Sequence, residues 1–197
     1  MRSQNQSWAD RRGVTLIEIL IVVTIISIIL AVSIPRLNVS RIRSKSAVTS
    51  IGTTMLALQR EAIAKQHNIL VLIATSPRQI QVVYDSNNNE RWDNNERERP
   101  IPLGEEIVFG KPSSVTARPF GANAVNFTNT DGTTGLPAIV LYRDGSAKEY
   151  GGIYLSTAKA IAGAANHQGE TWAMEMIRAT GRPEWYRWNG TTWLRGF

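Results

Sequence analysis

The sequence predicts an α+β protein, a long N-terminal helix packed on a mostly antiparallel β-sheet head, and three observations carry that expectation. An apolar run from Val14 to Ile34 holds a single charge, Glu18. After Pro35, apolar residues recur at three- and four-residue steps. Beyond residue 67, short apolar and β-branched runs alternate with Gly, Pro, Asn and Asp, the pattern of strands joined by tight turns.

The first run has 21 residues. At about 1.5 Å of rise per residue it spans roughly 30 Å, the thickness of a bilayer's hydrocarbon. A secretory signal would have a shorter core, about 7 to 15 residues, and a small-residue cleavage site. The expectation is therefore a membrane-spanning helix over 14–35, preceded by a short basic segment over 1–13. Arg2, Arg11 and Arg12, opposed only by Asp10, favour a cytoplasmic N-terminus, whereas Arg36, Arg41, Arg43 and Lys45 on the far side argue the other way. Glu18 is the odd residue, because a carboxylate in lipid costs up to about 2.5–3.5 kcal/mol and acids there usually have a partner. One reading is an interfacial acid that reaches water; the sharper one is a carboxylate meant for a positive group of another subunit.

The helix is expected to continue over 36–66, with Val48, Ile51, Met55, Leu58 and Ala62 on one face, a bend near Pro35 and loosening at Gly52. Its exposed face is basic. The net charge of +6 lies entirely in the leader and helix, since residues 67–197 hold 13 Lys or Arg and 13 Asp or Glu. A neutral head does not attract nucleic acid by its field, and nucleic acid is not expected as a partner. Basic residues next to a bilayer meet anionic lipid or neighbouring acids.

Gly13-Val14-Thr15-Leu16-Ile17-Glu18 resembles the prepilin processing motif of type IV pilins and type II secretion pseudopilins. The resemblance implies cleavage by a prepilin peptidase between Gly13 and Val14, methylation of the new N-terminus, Glu18 as the fifth mature residue, and Pro35 as the helix-bending proline. Val14 departs from the family's usual phenylalanine at the first mature position. Within the head, Arg60-Glu61-Ala62-Ile63, Ile69-Leu70-Val71-Leu72, Asp144-Gly145, Gly152-Ile153-Tyr154-Leu155 and Thr180-Gly181-Arg182 resemble, in that order, the GspH/FimT branch of minor pseudopilins and pilins. That resemblance implies a pilin-like subunit, anchored in the inner membrane with a periplasmic head over 67–197. It also implies other pseudopilins or pilins and the membrane assembly platform as partners. A DNA-binding minor pilin of a competence pilus is the alternative.

Strands are expected at Ile69–Ala74, Ile80–Tyr84, Glu106–Phe109, Val125–Thr128, Ala138–Tyr142, Gly152–Leu155 and Thr171–Arg178, with a final hairpin. Between the second and third, Asp85, Asn87, Asn89, Asp93 and Glu96, with the Arg91 carbonyl, occupy the oxygen positions of an EF-hand-type loop, which makes calcium the one candidate cofactor. The sixth position, where the sharp turn wants glycine, is Glu90, and the flanks read as strands, so an Asn-rich solvated hairpin loop is the preferred reading.

At the C-terminus, Asn189-Gly190 predicts a two-residue hairpin, setting Tyr186 opposite Trp193, Glu184 opposite Arg195 and Trp185 opposite Leu194. The interleaved aromatics and arginines, Arg182 and Arg187 among them, are the pattern of single-strand stacking, but hairpin pairing accounts for nearly every residue involved. Some FimT-like subunits are thought to bind DNA through Gly-Arg-x-Arg; here Gly181-Arg182-Pro183 runs into Glu184. An enzyme is not expected: His67 and His167 have no cysteine partner or metal spacing, and no phosphate loop or nucleophile elbow occurs.

Overall fold

The computed structural model describes residues 14–33, 39–164 and 167–196. The chain divides into two compact units, 1–39 and 40–197, each taken by itself. In the first, helix α1 runs Leu16–Ser33. Gly13 and Pro35, and with Pro35 the expected bend, lie outside the described residues.

Helix α2 spans Val39–Lys65 and runs unbroken through Gly52, so the loosening expected there does not occur. The five stripe residues expected from the sequence, Val48, Ile51, Met55, Leu58 and Ala62, are all buried. Burying a side chain of Val or Leu size contributes about 1.5–3 kcal/mol, so this stripe holds α2 on the head. The helix ends at Gln66, which takes a left-handed φ of 57° while its amide donates to the Ile63 carbonyl at 2.7 Å.

Two antiparallel sheets receive that stripe. Strands β1 (Asn68–Ala74), β2 (Gln79–Asp85), β3 (Arg97–Pro102) and β6 (Ala138–Leu141) form one, in the order β3-β2-β1-β6. The other runs β10 (Trp193–Arg195), β9 (Arg182–Trp188), β8 (Thr171–Ile177), β7 (Gly151–Thr157) and β4 (Ile107–Phe109), with β5 (Val125–Asn126) also paired to β7. Ile69, Val71, Ile73 and Leu141 from the first sheet and Ile153, Leu155, Trp172 and Met174 from the second meet the α2 stripe in one core.

Strand β1 is buried along its whole length because its even residues have a core of their own. Leu70 and Leu72 pack with Val83, Ala138 and Val140 under Trp92, Leu136 and Tyr142. Both faces being covered explains its unalternating sequence, Asn-Ile-Leu-Val-Leu-Ile-Ala.

Three elements depart from expectation. Strand β3 is not among the strands expected from the sequence, since Arg97-Glu98-Arg99-Pro100-Ile101-Pro102 is rich in charge and proline; it pairs with β2 alone, and Pro100 and Pro102 share one side of the ladder. Leu103 N–H donates to the Arg78 carbonyl at 3.1 Å, so odd positions point their N–H inward and the prolines lose no bond. Strand β5 is shorter than expected. A four-residue helix, α3 (Ala158–Ile161), capped by the Thr157 hydroxyl on Ala160 N–H at 3.2 Å, follows β7.

The final hairpin is shifted by two residues from the expected register. Trp193 lies opposite Trp188 and Arg195 opposite Tyr186, which leaves a four-residue loop at 189–192. The Asn189 side-chain oxygen accepts from the N–H of Thr191 and Thr192, at 2.9 and 2.8 Å, and this turn needs the longer loop. A shift of two preserves faces, so the expected ion pair survives on the diagonal between Arg195 and Glu184.

Gly145 and Gly181 join the helix to the ends of both sheets. Gln59 on α2 donates to the carbonyls of Gly145, at 3.2 Å, and Thr180, at 2.5 Å. Gly181 has φ +56°, and a methyl group there would overlap the Gly145 carbonyl oxygen. Gly181→Ala is expected to destabilise the head by about 2 kcal/mol, since a left-handed non-glycine residue alone costs roughly 1–3. Thermal unfolding of the variant checks this.

Candidate assembly site

The N-terminal segment is built from the backbone outward. Thr15 stands just before α1: its carbonyl accepts from the N–H of Glu18 at 3.1 Å and Ile19 at 3.2 Å, and its hydroxyl from Glu18 N–H at 3.3 Å. Thr15-Leu16-Ile17-Glu18 is therefore a helix start with the acid at the third helical position, where a carboxylate favours the positive helix end. The sequence reading missed this although the Ser/Thr-x-x-Glu signal is plain in it. Glu18 has a local reason to be here, apart from any partner.

Every large apolar residue described from Val14 to Ile29 is at least half exposed, from Val22 and Ile26 at 50% to Leu16 at 84%. The hydroxyls of Thr24 and Ser27 donate back into the helix, to the Leu20 and Ile21 carbonyls at 2.9 and 2.8 Å and the Val23 carbonyl at 2.7 Å. Such back-bonding satisfies the hydroxyls of Thr24 and Ser27 within the helix itself. No helix among the described residues is long and apolar enough to cross a membrane. The 18 residues of α1 rise about 27 Å, and the expected span also takes in Ile34 and Pro35, which are outside the described set.

In the Asp85–Glu96 loop the candidate ligands do converge, but on N–H groups. The two Asp85 oxygens accept from the N–H of Asn89, at 3.0 Å, and Glu90, at 2.8 Å. Glu96 accepts from Ser86 and Asp93 N–H at 2.9 and 3.2 Å. The amide groups of Asn87 and Asn89 each donate to one Asp93 oxygen at 2.8 Å, and their own oxygens take the N–H of Asn89 and Arg91. Arg91 contributes its N–H to this turn. Among the described residues no group of three or more His or acidic side chains is placed to hold a metal ion. The expected result of adding millimolar calcium is an unchanged unfolding temperature; a rise would show that these oxygens exchange their N–H partners for the ion.

Glu90 does adopt the left-handed turn, at φ 61°. Its side chain explains why the position is not glycine: the carboxylate accepts from Lys148 at 2.7 Å and from the Tyr142 hydroxyl at 3.0 Å. Lys148, against the opposing effect of burial, holds the Glu90 pKa below the ordinary carboxylate value.

A second carboxylate anchors the loop from outside. Asp131, 1% exposed, accepts from Trp92 N–H at 2.9 Å and from Thr134 N–H and hydroxyl, both at 2.7 Å. Burial raises its pKa, but these donors outweigh it and the net direction is down. The stabilisation is present above the unfolded-state pKa, near 4, and is lost as pH falls through the lower folded value. Unfolding temperature measured from pH 5 to pH 2.5 should fall, and less steeply in Asp131→Asn.

The structure does not bring Arg182 and Arg187 together. They sit at even and odd positions of β9, on opposite faces of the sheet. Trp193 stacks near Trp188 and Tyr154, with centroids 5.4 and 5.9 Å apart, and donates its indole N–H to the Thr116 carbonyl at 2.9 Å. His67 stands edge-on to Tyr84, and His167 lies 2.9 Å from Glu170.

Residues 8–34, ahead of the α+β head, match the family model described as the prokaryotic N-terminal methylation motif. Among solved structures, the minor pseudopilin EpsH from the type II secretion system of Vibrio cholerae is similar at 16% identity and a TM-score of 0.40, over 72% of this chain and 93% of that one. A comparison with curated proteins gives no match.

Proposed function

We propose that this chain is a membrane-anchored structural subunit, not an enzyme: a minor pseudopilin or minor pilin of a type II secretion pseudopilus or a type IV pilus. The observation that carries the reading is the methylation motif over 8–34 followed by a helix whose apolar side chains are uncovered on every face. An all-round apolar helix needs lipid or other helices around it. In this reading a prepilin peptidase cuts between Gly13 and Val14 and the Val14 amine is methylated. The segment over 14–35 is held in the inner membrane with the N-terminus cytoplasmic and the head periplasmic.

Assembly then transfers the apolar helix from lipid to a bundle of like helices. The freed Val14 amine of one subunit and the Glu18 carboxylate of its neighbour offset each other's desolvation, a pairing that sets axial register more than it adds stability. The intact mass of the membrane form tests the route. Loss of residues 1–13 with the gain of one methyl group supports it; a chain still beginning at Met1, or cut after Pro35, ends it.

A further inference from the structure

From Ile19 to Arg60 the chain has no Asp or Glu, while Arg36, Arg41, Arg43, Lys45 and Arg60 all follow the apolar run. One face of α2 turns part of this charge into a groove. Arg41, Ile42 and Lys45, with Thr49 and Ser50 below them, line a shallow hollow of about 850 Å³ closed on its far side by Arg187 of β9. Neither Lys45 nor the half-buried Arg187 has an acidic partner among the described residues. Between these cations Ile42 is 65% exposed. Cations flanking an exposed aliphatic side chain are the chemistry of a lipid headgroup and the first carbons below it.

Chain length supplies the occupant. Six residues lie between Ile34 and Arg41, so even a fully extended connection of seven steps keeps the groove within about 25 Å of the end of the apolar segment. The helix itself places Lys45 only about 6 Å from Arg41 along its axis.

We propose that this groove holds the phosphate headgroup of an anionic phospholipid of the periplasmic leaflet, with Lys45 and Arg187 as its ligands and Ile42 against the acyl chain. The inference rests on the membrane-anchored reading above. It gives the basic charge beyond the span a role that the positive-inside tendency leaves unexplained. Arg41 has an interaction of its own and is not needed for it.

The chain has no cysteine, so a single fluorophore can be placed in the groove through Ser50→Cys. The full chain in phosphatidylcholine nanodiscs is given a trace of phosphatidylglycerol or phosphatidylcholine carrying a nitroxide near the glycerol. The expected result is severalfold stronger quenching by phosphatidylglycerol, a preference of roughly fivefold per basic residue at a membrane surface. It should be lost in Lys45→Gln with Arg187→Gln and weakened by 0.5 M salt. Equal quenching by the two lipids, in discs where the chain is demonstrably inserted, overturns the proposal and leaves the anchor intact. Failure of the chain to insert overturns the anchored reading instead. Relief of the preference by millimolar inorganic phosphate means competition for the same headgroup ligands and supports the site. Masking of the fluorophore only when several copies share a disc assigns the groove to a neighbouring subunit and overturns it.

Discussion

Arg118→Ala is expected to destabilise the head by about 3 kcal/mol, the lower end of the range for breaking a buried ion pair. Arg118 donates from Nε to Glu175 at 2.6 Å, with side-chain exposures of 19% and 6%. Its guanidinium lies 3.7 Å over the Tyr186 ring, and its backbone N–H donates to the Tyr154 hydroxyl at 2.6 Å. Burial works against the guanidinium charge, but Glu175 outweighs it and the Arg118 pKa is raised. Removing the side chain strands the Glu175 carboxylate on a sheet face that Phe120 also covers, its ring centroid 4.8 Å from that of Tyr154. The unfolding temperature of the full chain in detergent should drop by about 6–10 °C. Replacing both partners with leucine should recover most of it, because an apolar pair leaves no stranded charge. If the double variant is as unstable as the single one, packing on Tyr186, not charge, is what Arg118 supplies.

The second large effect lies at the other end of the chain. Glu18→Ala should abolish incorporation into filaments while leaving the head's unfolding temperature unchanged, since Glu18 is exposed and its described bonds are backbone bonds to Thr15. Helix capping offers a competing account, and Glu18→Gln separates the two. Gln serves at the third helical position of a capping box, so it keeps the helix start but removes the charge. Filament incorporation measured in both variants decides: failure in both points to charge pairing between subunits, and rescue by Gln points to helix initiation.

Much of this was legible in the sequence because the signals were periodic and long. The α2 stripe was readable to the residue, since five apolar side chains at helical spacing face a single core. Strands β1 and β2 were equally plain. What failed was local chemistry that depends on a distant partner. Strand β3 carries charge and proline that no strand scale rewards, and it forms because β2 offers it an unpaired edge. The last hairpin follows a side-chain turn at Asn189 in preference to the two-residue rule, and Trp193 then finds Thr116, 77 residues away. Glu90 looked wrong for its turn until Lys148 and Tyr142 appeared beside it. The Thr15–Glu18 start needed no partner and was simply overlooked beside the louder reading of Glu18 as an intersubunit charge.

Strand β3 has a consequence for crowding. In the proposed filament, subunits gathered along a thread would hold their heads at very high local concentration, where a bare sheet margin invites neighbouring sheets to fuse. The outer margin here is Arg97 to Pro102, with no donor at Pro100 or Pro102 and exposed charged side chains at Arg97, Glu98 and Arg99. Heads meeting there slide instead of zippering. The order of subunits is thereby left to the helices, and a head can be rotated or replaced without tearing a shared sheet.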